Sequence, residues 1–271
     1  MNIYYYLKVL CLLYLVIFLI RLCCYFYKIY LNLKLERYLS KNNMFILSNE
    51  FCNCKNYKVF NYFNFTIQCF LCCNKRVINF ENENEIYNLL NNINNSVNLI
   101  IHTNGGASEL PNFLAYILKQ KNLLVKSYIP EKALSAGSFI ALSSDIIYMN
   151  WYSSMSPIDT QIDYDVSNGE DDVCEESFPA KFIKEVNKKN NAVTKLKAME
   201  ANSYHNDDLF LLSRMFKNKK RRKKIINHFL NTELSHSIRY GPKDLKQFGL
   251  NIKICIPKDI KVAFDIFKKL L

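Results

Sequence analysis

The sequence is poor in residues that break regular structure: 271 residues include only 6 Gly and 6 Pro. That scarcity excludes collagen-like and Pro/Gly-rich low-complexity architectures. Acidic residues are also few, 24 Asp+Glu against 36 Lys+Arg, which leaves a formal net charge of +12. Charge of this kind supports only non-specific attraction to anionic surfaces. No RNA-binding signature, no aromatic stacking platform and no zinc-knuckle spacing accompany it, so no nucleic-acid partner is expected. Apolar surface is plentiful instead. With 50% hydrophobic and 22% charged residues, the chain is not wholly disordered and can bury a full core.

Charge is absent from Val9 to Ile20, and the apolar run continues to Tyr27, interrupted by Arg21. A bilayer span needs about 20 mostly apolar residues. Residues 1–30 are therefore expected to be a transmembrane anchor, with Leu7 to Tyr27 as the span and Lys8 and Arg21 snorkelling near its ends. A cleaved signal peptide fits poorly, because no small-residue site follows and Cys23-Cys24-Tyr25-Phe26 is bulky. A buried core helix is the competing reading. Lys8 precedes the span, whereas Lys28, Lys34, Arg37 and Lys41 follow it. The positive-inside rule then predicts a single-pass membrane protein with most of the chain in the cytosol, its thiols reduced.

Residues 31–75 are expected to form a juxtamembrane segment: a short amphipathic helix over Leu31–Ser40, a strand at Met44–Leu47 and a Cys-rich insert. Cys52, Cys54, Cys69 and Cys72 have thiolates enough for a tetrahedral zinc, but one pair is tightly spaced. Half-buried reduced thiols explain them as well, and neither a metal nor any other cofactor is assigned.

From residue 76 to 271 strand and helix patterns alternate. Strands are predicted at Arg76–Phe80, Val97–Ile101, Leu123–Ile129 and Asp145–Met149, with helices at Glu83–Asn91, Ser108–Lys119 and from Leu134 to Ser144. Strand, glycine turn and helix in succession imply parallel crossovers, an α/β layer architecture and a site at the carboxyl ends of the strands. Two turns fall there. Asn104-Gly105-Gly106 lets backbone N–H groups approach an oxyanion, and Ala133-Leu134-Ser135-Ala136-Gly137 sets a serine at a helix entrance. Alone, Ser135 reads as a helix N-cap. Together the turns form a coherent acyl-transfer site, nucleophile on one and oxyanion hole on the other.

Farther on, Asp163–Glu176 reads as an acidic loop and candidate lid, and Phe182–Asn206 as a long polar helix followed by an apolar stretch at Leu209–Phe216. Lys217 to Lys224 holds seven cations in eight residues, either a solvated face or a patch for anionic lipid. Helices are expected at Ile225–Thr232, Gly241–Phe248 and Ile260–Leu271, with a strand at Ile252–Ile256.

The stretch from Leu99 to Gln161 carries HTNGG, ALSAGSFIALSSDIIYM and SPIDTQ, and SHSIRYGPKDLKQFGLNI follows at Ser235–Ile252. In these motifs the chain resembles the serine dehydrogenase proteinase family, related to signal peptide peptidase A and to the Clp proteolytic subunit. The resemblance implies a Clp/crotonase-like repeated β-β-α core with a parallel sheet behind one N-terminal transmembrane helix. It also implies a membrane-anchored serine peptidase, usually oligomeric, acting on a protein or peptide substrate beside membrane lipid. Ser135 matches the family nucleophile; Gly105, Gly106 and the N–H of Ala136 match the oxyanion hole. Asn104 stands where the family usually has proline, and Ser138 where it has threonine. Two general bases are left open by the resemblance. One is Lys181, in a Pro-x-Lys stretch like that of related peptidases. The other is an Asp159–His236 pair, which would orient and activate the serine as a permuted triad, unless Asp159 instead binds a substrate amine or caps a helix. His102 precedes the glycines and is read as a hydrogen-bonded core histidine or a residue near the site, and His205 and His228 as structural or exposed. The alternative function is a catalytically inactive membrane scaffold or binding module of the same fold.

Overall fold

The computed structural model describes residues 3–48, 57–60, 65–67, 77–78, 82–93, 96–107, 109–121, 123–167, 173–180, 192–231 and 235–271. The chain opens with one helix, α1 (Ile3–Lys41), 39 residues long. No Gly or Pro interrupts it, so the expected anchor and the expected Leu31–Ser40 helix are a single element about 58 Å long. Residues 10–27 are exposed almost throughout, and α1 is long and apolar enough to cross a bilayer. Beyond them Leu31, Leu35 and Leu39, one turn apart, are buried.

Asn42 and Asn43 reverse the chain, Asn43 at φ 47°, into strand β1 (Met44–Leu47). Next come β2 (Tyr57–Phe60), β3 (Phe65–Ile67) and β4 (Val77–Ile78), then α2 (Glu83–Asn92) and β5 (Ser96–Ile101). The core continues with α3 (Glu109–Gln120), β6 (Leu124–Ile129), β7 (Lys132–Ala133), α4 (Ala136–Leu142), β8 (Ile146–Met149) and β9 (Ser154–Met155). The hairpin β10 (Gln161–Ser167) and β11 (Val173–Pro179) precedes α5 (Ala192–Met215), α6 (Lys219–Phe229), α7 (Pro242–Gln247), β12 (Ile252–Lys253) and α8 (Lys258–Lys268).

Six strands form one sheet in the order β12-β8-β6-β5-β1-β4, and every neighbouring pair is parallel. Alternation along the strands sends side chains to two cores. Phe45, Leu47, Val97, Leu99, Ile101, Val125, Ile129, Ile147 and Met149 pack with residues of α2 to α6. Met44, Ile46, Ile100 and Tyr128 face the other way and are covered by Leu31, Leu35 and Leu39 of α1 and by Ile260, Phe264 and Phe267 of α8. Burying each such side chain contributes about 1.5–3 kcal/mol.

The last turns of α1 and β1 belong to the core, because β1 pairs with both β4 and β5 and Leu35 and Leu39 cover the sheet. The four insert cysteines lie outside the described residues. The stretch read as an acidic loop is instead the antiparallel pair β10–β11, with Gln161 opposite Pro179 and Ser167 opposite Val173. The polar helix and the apolar stretch after it merge in α5; residues 181–191 lie outside the described part. Helix α6 begins inside the basic run, capped by the Asn218 side chain, which accepts from the Arg221 N–H at 3.0 Å. Ile225 and Phe229 are buried while Lys219, Lys220, Lys223 and Lys224 stay exposed, as a solvated helix face requires.

Candidate active site

Behind the carboxyl end of β5 a second, smaller layer positions the site. Thr103 bridges Ala133 of β7 in parallel, β7 pairs with β9, and Met155 of β9 bridges Tyr240. Segments 103–106, 133–138 and 155–161 are thereby held side by side.

Ser135 occupies the N-cap position of α4, yet its side chain makes no capping hydrogen bond. Its backbone sits at φ 48°, ψ −115°, a region costly to a non-glycine residue by roughly 1–3 kcal/mol. Surrounding bonds hold it there. The Ser135 N–H donates to Ser156 Oγ at 2.7 Å, and the Ser156 N–H donates to Ser138 Oγ at 2.9 Å. Ser138 Oγ in turn donates to the Ala133 carbonyl at 2.6 Å, so a serine at this position keeps the hydroxyl that a threonine would supply. The N-cap reading is thus set aside: the hydroxyl is not used for the helix.

Gly105 must be glycine on two counts. Its φ is 108°, and a Cβ there would lie 2.8 Å from Ser135 Cβ. Its N–H donates to Thr103 Oγ1 at 2.9 Å, and it does not line the cavity beside Ser135. Gly106 and Ala136 do line it. Gly137 is equally constrained, since a Cβ would collide with Thr103 Cγ2. The side chain of Asn104 accepts from Lys132 Nζ at 2.7 Å.

A cavity of about 310 Å³ brings together Asn104, Gly106, Ser135, Ala136, Asp159 and His236. Asp159 is 5% exposed, and its Oδ1 lies 2.9 Å from His236 Nδ1. Gln161 Nε2 donates to Asp159 Oδ2 at 2.5 Å and to the Asp159 carbonyl at 3.2 Å. Both Asp159 oxygens therefore carry a partner, and a buried carboxylate held in this way fixes the imidazole it faces. With Nδ1–H donating to Asp159, the neutral ring keeps its Nε2 lone pair for a proton from elsewhere. Lys181 lies outside the described residues. The chain is described up to Ala180, which is buried and whose N–H donates to the Thr160 carbonyl at 2.9 Å.

His102 is 4% exposed with its ring 5.0 Å from that of Phe264, and the His228 ring stacks on Phe248 at 3.7 Å. Both are structural, in agreement with the sequence reading.

Asp208 is a residue the sequence did not single out. It is 2% exposed and accepts from Thr160 Oγ1 at 2.9 Å. Burial pushes its carboxyl up to about 7; the Thr160 bonds oppose the rise and the Asp159 charge adds to it. The signal was available. Ala201, Asp208, Leu212 and Met215 are all buried on α5, and their spacing of seven, four and three traces one helical stripe, so an Asp stands in a core position. Gln161 was quoted in a motif, but its bond to Asp159 has no local signature.

A hydroxyl on a strained turn, Gly106 and Ala136 lining the cavity beside it and a carboxylate-held imidazole in the same space have the chemistry of a serine hydrolase. Residues 6–271 match the family described as ClpP-like SDH-type serine proteinases, and the chain belongs to that family. The serine peptidase class and the ClpP-like fold expected from the motifs are those of the family, and the parallel sheet agrees. Over 66 residues the chain is 41% identical to an uncharacterized protein of Methanocaldococcus jannaschii, covering 24% of this chain and 23% of that one. The chain thus matches less than a quarter of that relative's length. A serine-to-alanine variant of the 1510-N membrane-bound stomatin-specific protease is 18% identical, with a TM-score of 0.41, covering 65% of this chain and 72% of that structure. For ClpP1 from Listeria monocytogenes the identity is 14% and the TM-score 0.39, over 65% and 84% of the two chains.

Proposed function

We propose that the protein is a membrane-anchored serine peptidase that hydrolyses peptide bonds through a Ser135–His236–Asp159 triad. The observation that carries this reading is the 2.9 Å bond between Asp159 Oδ1 and His236 Nδ1, in the same cavity as Ser135. His236 Nε2 takes the Ser135 proton as Oγ attacks the scissile carbonyl carbon, and the imidazolium is stabilised by Asp159. The N–H groups of Gly106 and Ala136 receive the developing oxyanion. Gly105 serves by closeness rather than donation: it lets the chain pass against Ser135. His236 then gives the proton to the leaving amine, and water repeats the sequence on the acyl-enzyme.

Helix α1 is the anchor, and the charge asymmetry around it supports a domain on the cytosolic side. The substrate is a protein or peptide, and the active form is a homo-oligomer. A lysine base is the second reading, supported by the tie between Ala180, next to Lys181, and Thr160 of the cavity wall. Labelling with a fluorophosphonate probe tests the nucleophile. Wild type should label and Ser135→Ala should not; equal labelling of both overturns the nucleophile assignment, and labelling of neither favours an inactive scaffold. Turnover lost in His236→Ala and kept in Lys181→Ala supports the triad; the reverse replaces it with a serine–lysine dyad.

A further inference from the structure

The topology fixes which end of the domain lies nearer the apolar part of α1. Asn43 Nδ2 donates to the Ser96 carbonyl at 3.1 Å, so α1 ends at the amino ends of the strands. Helix α8 runs the opposite way to α1. Tyr38 Oη donates to Asp259 Oδ1 at 3.0 Å in the first turn of α8, while Lys268 near its end donates to Glu131 Oε1 at 2.6 Å, beyond the carboxyl end of β6. Nine residues of α8, about 14 Å, separate those two bonds. The same distance along α1 from Tyr38 leads back to about Ile29, where the long apolar run has just ended. The carboxyl ends of the strands, and the cavity of Ser135 with them, therefore stand at the level of the apolar boundary of α1.

At that end the turn Asn150–Ser153 projects Trp151, 80% exposed, and Tyr152, 56% exposed. Their rings meet edge to face at 5.4 Å. The turn is firmly seated: Asn150 Nδ2 and Ser153 Oγ both donate to the Pro130 carbonyl at 2.8 Å, and the Ser154 N–H donates to the Glu131 carbonyl at 2.9 Å. Leu271 is 51% exposed just past α8, and Lys268 and Lys269 are exposed beside it. On α1, Tyr27 and Tyr30 are exposed at the matching height. Aromatic rings with polar handles, and cations among them, are the residues favoured at the boundary between lipid tails and water.

We infer that the Trp151–Tyr152 turn is a second membrane contact, inserting at the headgroup level of the bilayer that α1 crosses. The inference rests on the anchor reading above, and commits to lipid as the occupant. The reasons are the common level of the exposed aromatics and the cations placed among them. Its effect is to hold the domain upright on two points, with the catalytic cavity turned toward the headgroups.

Trp151 is the only tryptophan, so its fluorescence reports on this turn alone. The full-length chain is reconstituted into phosphatidylcholine–phosphatidylglycerol vesicles and floated. Lipids brominated near the headgroup should quench Trp151 more than lipids brominated near the chain ends, and aqueous iodide should lose its access. Floating protein whose Trp151 remains open to iodide overturns the contact while leaving the anchor standing. Protection from iodide in detergent as well, with no quenching by lipid, means that a second copy covers the turn, and also overturns it. Protein that fails to float sinks the anchor reading, and this inference with it.

Discussion

At the scale of single residues, the site depends on contacts that tolerate almost no added volume. Gly105→Ala puts a methyl group 2.8 Å from Ser135 Cβ at a backbone φ of 108°. The expected outcome is a folded protein whose kcat falls by about 10²-fold or more, since an ångström of misplacement costs that much. Circular dichroism checks the fold and turnover of a fluorogenic peptide checks the rate. Asp159→Asn preserves shape but removes the charge that holds His236, so kcat should drop by about 10⁴-fold with little change in KM. Asp208 contributes through its protonation. Its carboxyl is pushed up from 3.8 to about 7 in the folded chain. The folded state therefore keeps a proton that the unfolded chain loses above about pH 4. Stability should fall as pH rises from about 4 to 7, by about 4 kcal/mol at the upper end. Asp208→Asn should flatten that slope in denaturant titrations at pH 5 and pH 8. Ser135 was legible because its motif is local and bears a family resemblance. The Asp159–His236 partnership, 77 residues apart, was legible only through that resemblance, because nothing in the intervening sequence encodes their meeting.

At the scale of elements, what the sequence revealed depended on how far charge obscured period. Apart from the two-residue β7, the strands and helices from Glu83 to Met149 are visible within a residue or two, because their apolar positions recur cleanly. The β10–β11 hairpin was hidden. Ile162, Tyr164 and Val166 alternate with Asp163 and Asp165, a strand pattern that the acidic content of the stretch caused to be read as a loop. Helix α1 was read in two pieces because its function changes along its length while its geometry does not. That continuity has a measurable result. Leu35 is fully buried on the sheet, so Leu35→Ala should destabilise the domain by about 2–5 kcal/mol, read as a lowered midpoint in thermal unfolding in detergent.

At the scale of the whole molecule, the proposed anchor helix α1 and the proteinase fold share one packed core. Only two residues separate α1 from a strand of the central sheet, whose neighbours are reached by parallel crossovers. Membrane association should accordingly persist through an alkaline carbonate wash, with all activity remaining in the pellet. Activity released into the supernatant without proteolysis would contradict the anchor.

The buried stripe of Leu31, Leu35 and Leu39 also decides where the chain can be severed. A recombinant fragment begun at residue 42 retains every candidate catalytic group, yet it loses the share of the cover that Leu31, Leu35 and Leu39 give to Met44, Ile46 and Ile100, and leaves part of that apolar face with α8 alone over it. Such a fragment should precipitate or require detergent. One begun near residue 30 carries its own lid for that face and should stay dispersed.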